Sequence, residues 1–302
     1  MNKQESVRIS AGIGTLITAQ NPVISYTADD VEKAKASYDA AELAEMRELG
    51  LLGEDFEAYF VIREFCERIG LGDAADGTYI LKLFQNSRRL DADAFLRDPY
   101  LRTVSVTEKQ IGRFLLTNAE YEHGEIFLYD MPDFTAPIVV PKIGFFNRRV
   151  RFPTLYEGSM PWISVCPSEV NSMEKEIAAA HGRVLVLGLG LGYYPFRISA
   201  KPEVESITII ELQKTIIDIF CENLLPQFPE RQKIRIVRGD AIAYLGSVRD
   251  GDYDFCFADI WEGVVDGVPL YEKIRPHEHR LFSTHFTYWI GDQLSYLSET
   301  EK

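Results

Sequence analysis

The sequence predicts an α/β protein: a parallel β-sheet with helices on both faces, preceded by a helical segment and a small β-rich segment. Three observations predict it. After Gly182, short apolar runs alternate with helical stretches, the pattern of a parallel sheet whose crossovers are helices. The first run, 184–187, is Val-Leu-Val-Leu with no polar gap, as expected of a strand covered on both faces. It leads into Gly188-Leu-Gly190-Leu-Gly192, a stretch able to turn sharply from strand to helix.

The elements follow in order. Residues 29–49 are rich in Ala, Glu, Lys and Leu, with Val31, Ala34, Tyr38, Ala41 and Met46 near helical spacing, and Gly50 and Gly53 punctuate them. A second amphipathic run, 54–69, carries an aromatic stripe of Phe56, Tyr59, Phe60 and Phe65, and Gly70 and Gly72 stop it. A third helix is expected over 79–89. These describe a small helical bundle. From 112 onward, 114–117, 125–129, 138–140 and 162–166 are β-prone runs separated by Gly, Pro, Asn and Asp. Pro132, Pro137, Pro141 and Pro153 keep them short or at edges. Ser168 reads as the N-cap of a helix to about 181. Strands are then expected at 184–187, 207–210, 234–237, 255–258 and 286–290, with helices beginning near Pro195, Lys214 and Ala241. The division expected is a helical domain over 1–110, a β-rich segment over 111–168 and a Rossmann-like domain over 169–302.

Composition limits the function classes. The chain has 302 residues, 46% hydrophobic and 26% charged, enough apolar content for a real core. Its net charge of −14 argues against a nucleic-acid partner, which normally leaves a basic footprint. Lys142, Arg148, Arg149 and Arg151 form the one dense basic stretch and read as a solvated loop or strand edge. The four cysteines are widely spaced with no Cys-x-x-Cys pair, so neither a disulfide framework nor a zinc site is expected. His277, His279 and His285 lack the spacing of a helical metal pair. No signal peptide or membrane-length apolar run is visible, which gives a cytoplasmic expectation with no membrane partner.

The residues that carry chemistry lie at the strand ends. A dinucleotide turn of the form G-x-G-x-x-G would need a small residue at 193, where this chain has Tyr193. The form Gly188-x-Gly190-x-Gly192 instead favours a nucleoside ligand without a pyrophosphate. Glu211 closes the second strand, where an acid can accept hydrogen bonds from both ribose hydroxyls. Asp240 closes the third and can accept from an adenine amino group, with the backbone of Ala241 beside it. Asp259 closes the fourth, within Asp259-Ile-Trp261-Glu262-Gly263. In a parallel sheet all these ends lie on one edge, where ligands bind. Taken singly each acid is as readily a helix cap; the ordered set is what points to a site. Trp261 reads either as a substrate-pocket aromatic or as a packed core residue, and Glu262 either as a catalytic acid or base or as a solvated helix start.

Over 183–290 these motifs resemble the class I S-adenosylmethionine-dependent methyltransferases. The resemblance implies S-adenosylmethionine as cofactor, with Gly188, Gly190 and Gly192 against its amino-acid and ribose portions. It further implies Glu211 on the ribose, Asp240 on the adenine, and Asp259 facing the methyl donor and the substrate. The acceptor is then a small molecule or a protein, and a homodimer is compatible with the sequence. The layout is also similar to the polyamine aminopropyltransferases, which place small strands and a short helix before the glycine turn and an Asp at the end of the fourth strand. Where those enzymes carry an acid before the last glycine and Asp-Ser-x-Asp-Pro after the fourth strand, this chain has Leu191 and Asp-Ile-Trp-Glu-Gly. Three functions therefore stand: methyl transfer with Asp259 and Glu262 as catalytic acids, aminopropyl transfer, and non-catalytic cofactor binding.

Overall fold

The computed structural model describes residues 1–52 and 56–300; the expected punctuation at Gly53 and helix start at Glu54 lie outside them. The chain forms two compact units, one of residues 1–96 and 120–151, the other of residues 97–119 and 152–302. The division expected at 110 and 168 follows element type, whereas the units follow packing. The strands over 120–151 pack with the N-terminal helices, and residues 97–119 belong with the parallel sheet.

In the first unit the opening helix, Lys3–Gln20, was not foreseen. It buries a narrow stripe of Ser6, Ser10, Ile13 and Ile17, half of it hydroxyls, which conceals the apolar period. Those hydroxyls explain a second difference. The strand expected over 138–140 is a loop, because Ser6 Oγ accepts from Val139 N (3.0 Å) and Ser10 Oγ donates to Val139 O (2.8 Å). Both backbone groups of Val139, between Pro137 and Pro141, are thus satisfied without a neighbouring strand. The helix expected over 29–49 is two, Ala28–Lys35 and Ala40–Glu48, each opened by a capping box: Thr27 with Asp30, and Asp39 with Glu42. Helix Phe56–Arg68 buries Phe56, Phe60, Val61, Ile62, Phe65 and Cys66. Helix Gly77–Gln85 is shorter than expected, because Arg88–Arg89 instead pair in parallel with Lys142–Phe145. Phe127–Asp130 completes that three-stranded sheet.

The second unit carries a parallel sheet of five strands, Gly182–Leu187, Val204–Glu211, Ile234–Arg238, Phe255–Ala258 and His285–Tyr288. Counted along the chain, the strands are ordered third, second, first, fourth, fifth, all parallel. Val184–Leu187 and Phe255–Ala258 are buried at every position, so both faces are covered, as their unbroken apolar runs predict. The expected fifth strand stops two residues early. Ile290 takes a left-handed conformation, φ 51°, and turns the chain into the helix Gly291–Thr300. A four-stranded sheet precedes the parallel one, ending in the antiparallel hairpin of Val150–Glu157 and Met160–Ser164. After it Cys166, rather than Ser168, is the N-cap. Pro167 takes the first helical position, where its missing N–H costs nothing, and the segment breaks at Met173 into Pro167–Ser172 and Glu174–Ala179. Among the described residues no helix is long and apolar enough to cross a membrane.

Candidate active site at the carboxyl edge of the parallel sheet

The order of strands reverses between the first and the fourth, and the crevice at their carboxyl ends is where an open parallel sheet accepts a ligand. Register puts Leu187 beside both Ile210 and Ala258, so Gly188, Glu211 and Asp259 emerge at one level. All three turn glycines have positive φ: 97° at Gly188, 55° at Gly190 and 77° at Gly192. Each is also needed for contact within the protein. A Cβ on Gly188 would overlap the carbonyl oxygen of Asp259, and one on Gly192 would overlap the ring of Phe220. On Gly190 it would meet only the tip of Ile163, from the hairpin strand above.

Glu211 is 7% exposed, and its carboxylate accepts from Leu189 N at 3.2 Å and Gln213 N at 2.7 Å. It ties the glycine turn to the second strand, and burial raises its pKa despite those bonds. Next to it Leu212 is 61% exposed, an apolar face at the sheet edge. Asp240 is exposed and caps the helix Ala241–Ser247, its Oδ1 accepting from Ala243 N at 2.8 Å. Ala241 is buried at the first position of that helix. The exposed Leu212 and the outward Asp240 suit a nucleoside on this edge.

Asp259 reaches a cavity of about 30 Å³ lined by Gly188, Leu189, Ser164, Tyr194, Phe257 and Glu169, among others. Glu169, in the first turn of the Pro167–Ser172 helix, was not singled out from sequence; a first-turn acid looks like ordinary dipole compensation. Its presence beside Asp259 is a tertiary fact. Burial pushes the Asp259 carboxyl up to about 7, and burial together with the nearby Asp259 charge pushes Glu169 up to about 8. No Lys, Arg or His is among the described residues that line the cavity.

The structure does not bring Trp261 and Glu262 into this cavity. Trp261 is 6% exposed, lies against Gly267 and faces Tyr288 with ring centroids 6.4 Å apart. Glu262 is exposed, and its backbone N–H donates to Asp266 Oδ2 at 2.8 Å. The turn into the helix Val264–Arg280, capped through Asp266, sends Trp261 under the sheet edge and Glu262 outward. His277 and His279 lie on that helix, and His285 begins the fifth strand. Among the described residues no group of three or more His, Cys, Asp or Glu is placed to hold a metal ion.

Behind the turn stands a support that sequence reading missed. Asp98 caps the helix Pro99–Thr103 through Oδ1, while its Oδ2 accepts from Tyr193 Oη at 3.0 Å and Arg197 Nη1 at 2.7 Å. Tyr100, fully buried, donates its hydroxyl to Leu191 O at 2.7 Å. The Asp-Pro-Tyr sequence at 98–100 signals only a helix start, and its partners lie some 90 residues away.

No family model matches the chain. Among curated proteins it is similar to putrescine N-methyltransferase 1 of Nicotiana tabacum, 27% identical over 94 residues, which are 30% of this chain and 25% of that protein. It is also similar to spermidine synthase 2 of Hyoscyamus niger, 32% identical over 94 residues, 30% of each chain. The chain thus spans less than a third of the length of these relatives. Among solved structures, spermidine synthase from Thermotoga maritima aligns with 56% of this chain and 52% of its own, at 14% identity and a TM-score of 0.32. A five-stranded parallel sheet with its glycine turn at the strand-order reversal and an acid closing the second and fourth strands gives this chain the layout of the class I methyltransferases and spermidine synthases.

Proposed function

We propose that the chain binds S-adenosylmethionine at the carboxyl edge of its parallel sheet and transfers the methyl group to an amine. The observation that carries this reading is the cavity beside Gly188, where Asp259 and Glu169 face each other's field with no cationic side chain in the lining. The cofactor supplies a methyl group on a cationic sulfur, ready for in-line displacement by a nucleophile. The backbone of Gly188, Gly190 and Gly192 would lie against it, Glu211 and Asp240 would hold the ribose and adenine, and Leu212 would cover the base. The chain's own work is then orientation, exclusion of water and removal of a proton from the acceptor nitrogen. Asp259 is the group placed to take that proton, and a carboxyl titrating near 7 can do so at neutral pH. Trp261 and Glu262 support the local turn in this reading. The names of the two curated relatives, one an N-methyltransferase of putrescine and the other a spermidine synthase, favour an amine acceptor. They also support the second reading, aminopropyl transfer from the decarboxylated cofactor.

Calorimetric titration with S-adenosylhomocysteine, NAD and ATP is the first test. The expected result is binding of S-adenosylhomocysteine alone; a tighter NAD complex would overturn the reading of the turn. An amine screen with methyl-labelled cofactor, run in parallel with the decarboxylated cofactor, then separates methyl from aminopropyl transfer, and binding without turnover of either leaves a cofactor-binding protein. Asp259→Asn is expected to keep cofactor affinity within about twofold while lowering turnover by about 10²–10⁴-fold, the range for a positioned acid–base group. Full activity in that variant would return Asp259 to a structural role.

A further inference from the structure

We infer that Glu169 is the second acid of the acceptor site, holding the acceptor's ammonium group opposite Asp259 in the small cavity between them. This rests on the reading of Asp259 proposed above, and it assigns a role to a residue from a different part of the chain. Glu169 comes from the short helix that follows the hairpin, and Asp259 from the end of the fourth strand. Both line one cavity with Ser164, Tyr194, Phe257 and Gly188. Neither carboxyl takes part in a hydrogen bond or ion pair among the described residues, although two acids sharing a pocket ordinarily recruit a cation. The volume, about 30 Å³, admits one or two groups the size of a water molecule, which suits an ammonium head and excludes a nucleoside.

The chemistry closes without any further reagent. The acceptor enters as R–NH3⁺ and is held by hydrogen bonds from its N–H groups to both carboxyls. One N–H bond breaks and its proton passes to a carboxylate oxygen of Asp259, leaving R–NH2 with a free electron pair for the transfer, while Glu169 keeps the nitrogen in place. Ionisable neighbours around Glu169 are the Cys166 thiol on its own helix, Asp259, and the phenols of Tyr193 and Tyr194 from the helix after the turn, with Glu176 beside Tyr194. Burial raises the thiol and both phenols, and it raises Glu176 in the same direction as the two carboxyls, so the Glu169→Gln comparison is what separates their share. Ammonium binding therefore strengthens as pH rises from 6 to 8.5.

The test titrates wild type, Glu169→Gln, Glu169→Asp and Asp259→Asn with 1,4-diaminobutane, and separately with S-adenosylhomocysteine. Butan-1-ol is the uncharged control, and melting curves check folding. The diamine is expected to bind wild type in preference to the alcohol, more tightly at pH 8.5 than at 6. Glu169→Gln should weaken it about tenfold or more, as expected for loss of a hydrogen bond to a charged partner, and flatten the pH dependence. Glu169→Asp should recover part of the affinity. S-adenosylhomocysteine affinity should be unchanged in Glu169→Gln. Wild-type diamine affinity in a folded Glu169→Gln protein would overturn the inference. So would a loss confined to S-adenosylhomocysteine, which would assign the pair to the cofactor's own amino group. Failure of wild type to bind S-adenosylhomocysteine would strike the proposed function, while the diamine series would still decide the role of Glu169.

Discussion

Gly188, Gly190 and Gly192 share positive φ values but differ in what a side chain would meet. At Gly192 the obstacle is the ring of Phe220, which is fully buried; at Gly190 it is the flexible end of Ile163. Gly192→Ala is therefore expected to cost about 3 kcal/mol, combining left-handed strain with overpacking, and Gly190→Ala about 1–2 kcal/mol. Urea denaturation of both checks the order, and Phe220→Leu in the Gly192→Ala background should restore part of the loss. The half-buried acids of the cavity give a second prediction. In the unfolded chain Asp259 and Glu169 lose their protons near pH 4, but in the fold they keep them to about 7 and about 8. Over that interval the native state binds more protons than the unfolded state, so stability falls as pH rises. The melting temperature should be higher at pH 5.5 than at pH 8.5. Burial raises Glu125, Glu176 and Glu211 in the same direction, so the comparison with Asp259→Asn isolates the contribution of the pair. An identical slope in that variant would mean that Asp259 is ionised throughout.

Among the elements, the short helix Pro99–Thr103 has an influence beyond its five residues. Its cap, Asp98, is 8% exposed at the side chain and pairs with Arg197, which is 18% exposed and also reaches Glu174 at 2.9 Å. Removing Asp98 leaves a helix uncapped, the Tyr193 hydroxyl without its acceptor and a half-buried guanidinium short of one partner. Asp98→Ala is expected to destabilise by about 3 kcal/mol, within the range for breaking a buried pair, and Asp98→Asn by less because it still caps. Equilibrium denaturation compares the two. The capping boxes at Thr27 and Asp39 are not among the expected helix starts, and the expected cap at Ser168 gives way to Cys166. The single helix expected over 29–49 was a misreading of continuous helical composition, since Asp39 with Glu42 signals a second start.

At the scale of the molecule, the division into packing units makes a prediction that the boundary at 110 does not. The core of the first unit joins the N-terminal helices to Ile126, Val140, Ile143 and Phe145, which come from beyond residue 120. A chain beginning at residue 111 would therefore expose these apolar side chains. It is expected to be insoluble, or to bind a hydrophobic dye strongly, whereas an independent domain beginning there would be soluble. Expression of that truncation followed by gel filtration decides between them.

The sequence by itself determined the parallel sheet, the glycine turn and the acids at Glu211 and Asp259, because each is a local signal. A doubly covered strand is an unbroken apolar run, a backbone turn with positive φ needs glycine, and register carries strand ends to a common edge. It left both readings of Trp261 and of Glu262 open, since the placing of each side chain depends on where the chain turns at Gly263. The helix Lys3–Gln20 was hidden because serines on its buried face bond a distant backbone. Tertiary structure alone decided the pairing of Glu169 with Asp259 and of Asp98 with Arg197. These residues are about 90–100 positions apart, and nothing in composition or periodicity links side chains that only folding brings within reach of each other's charge.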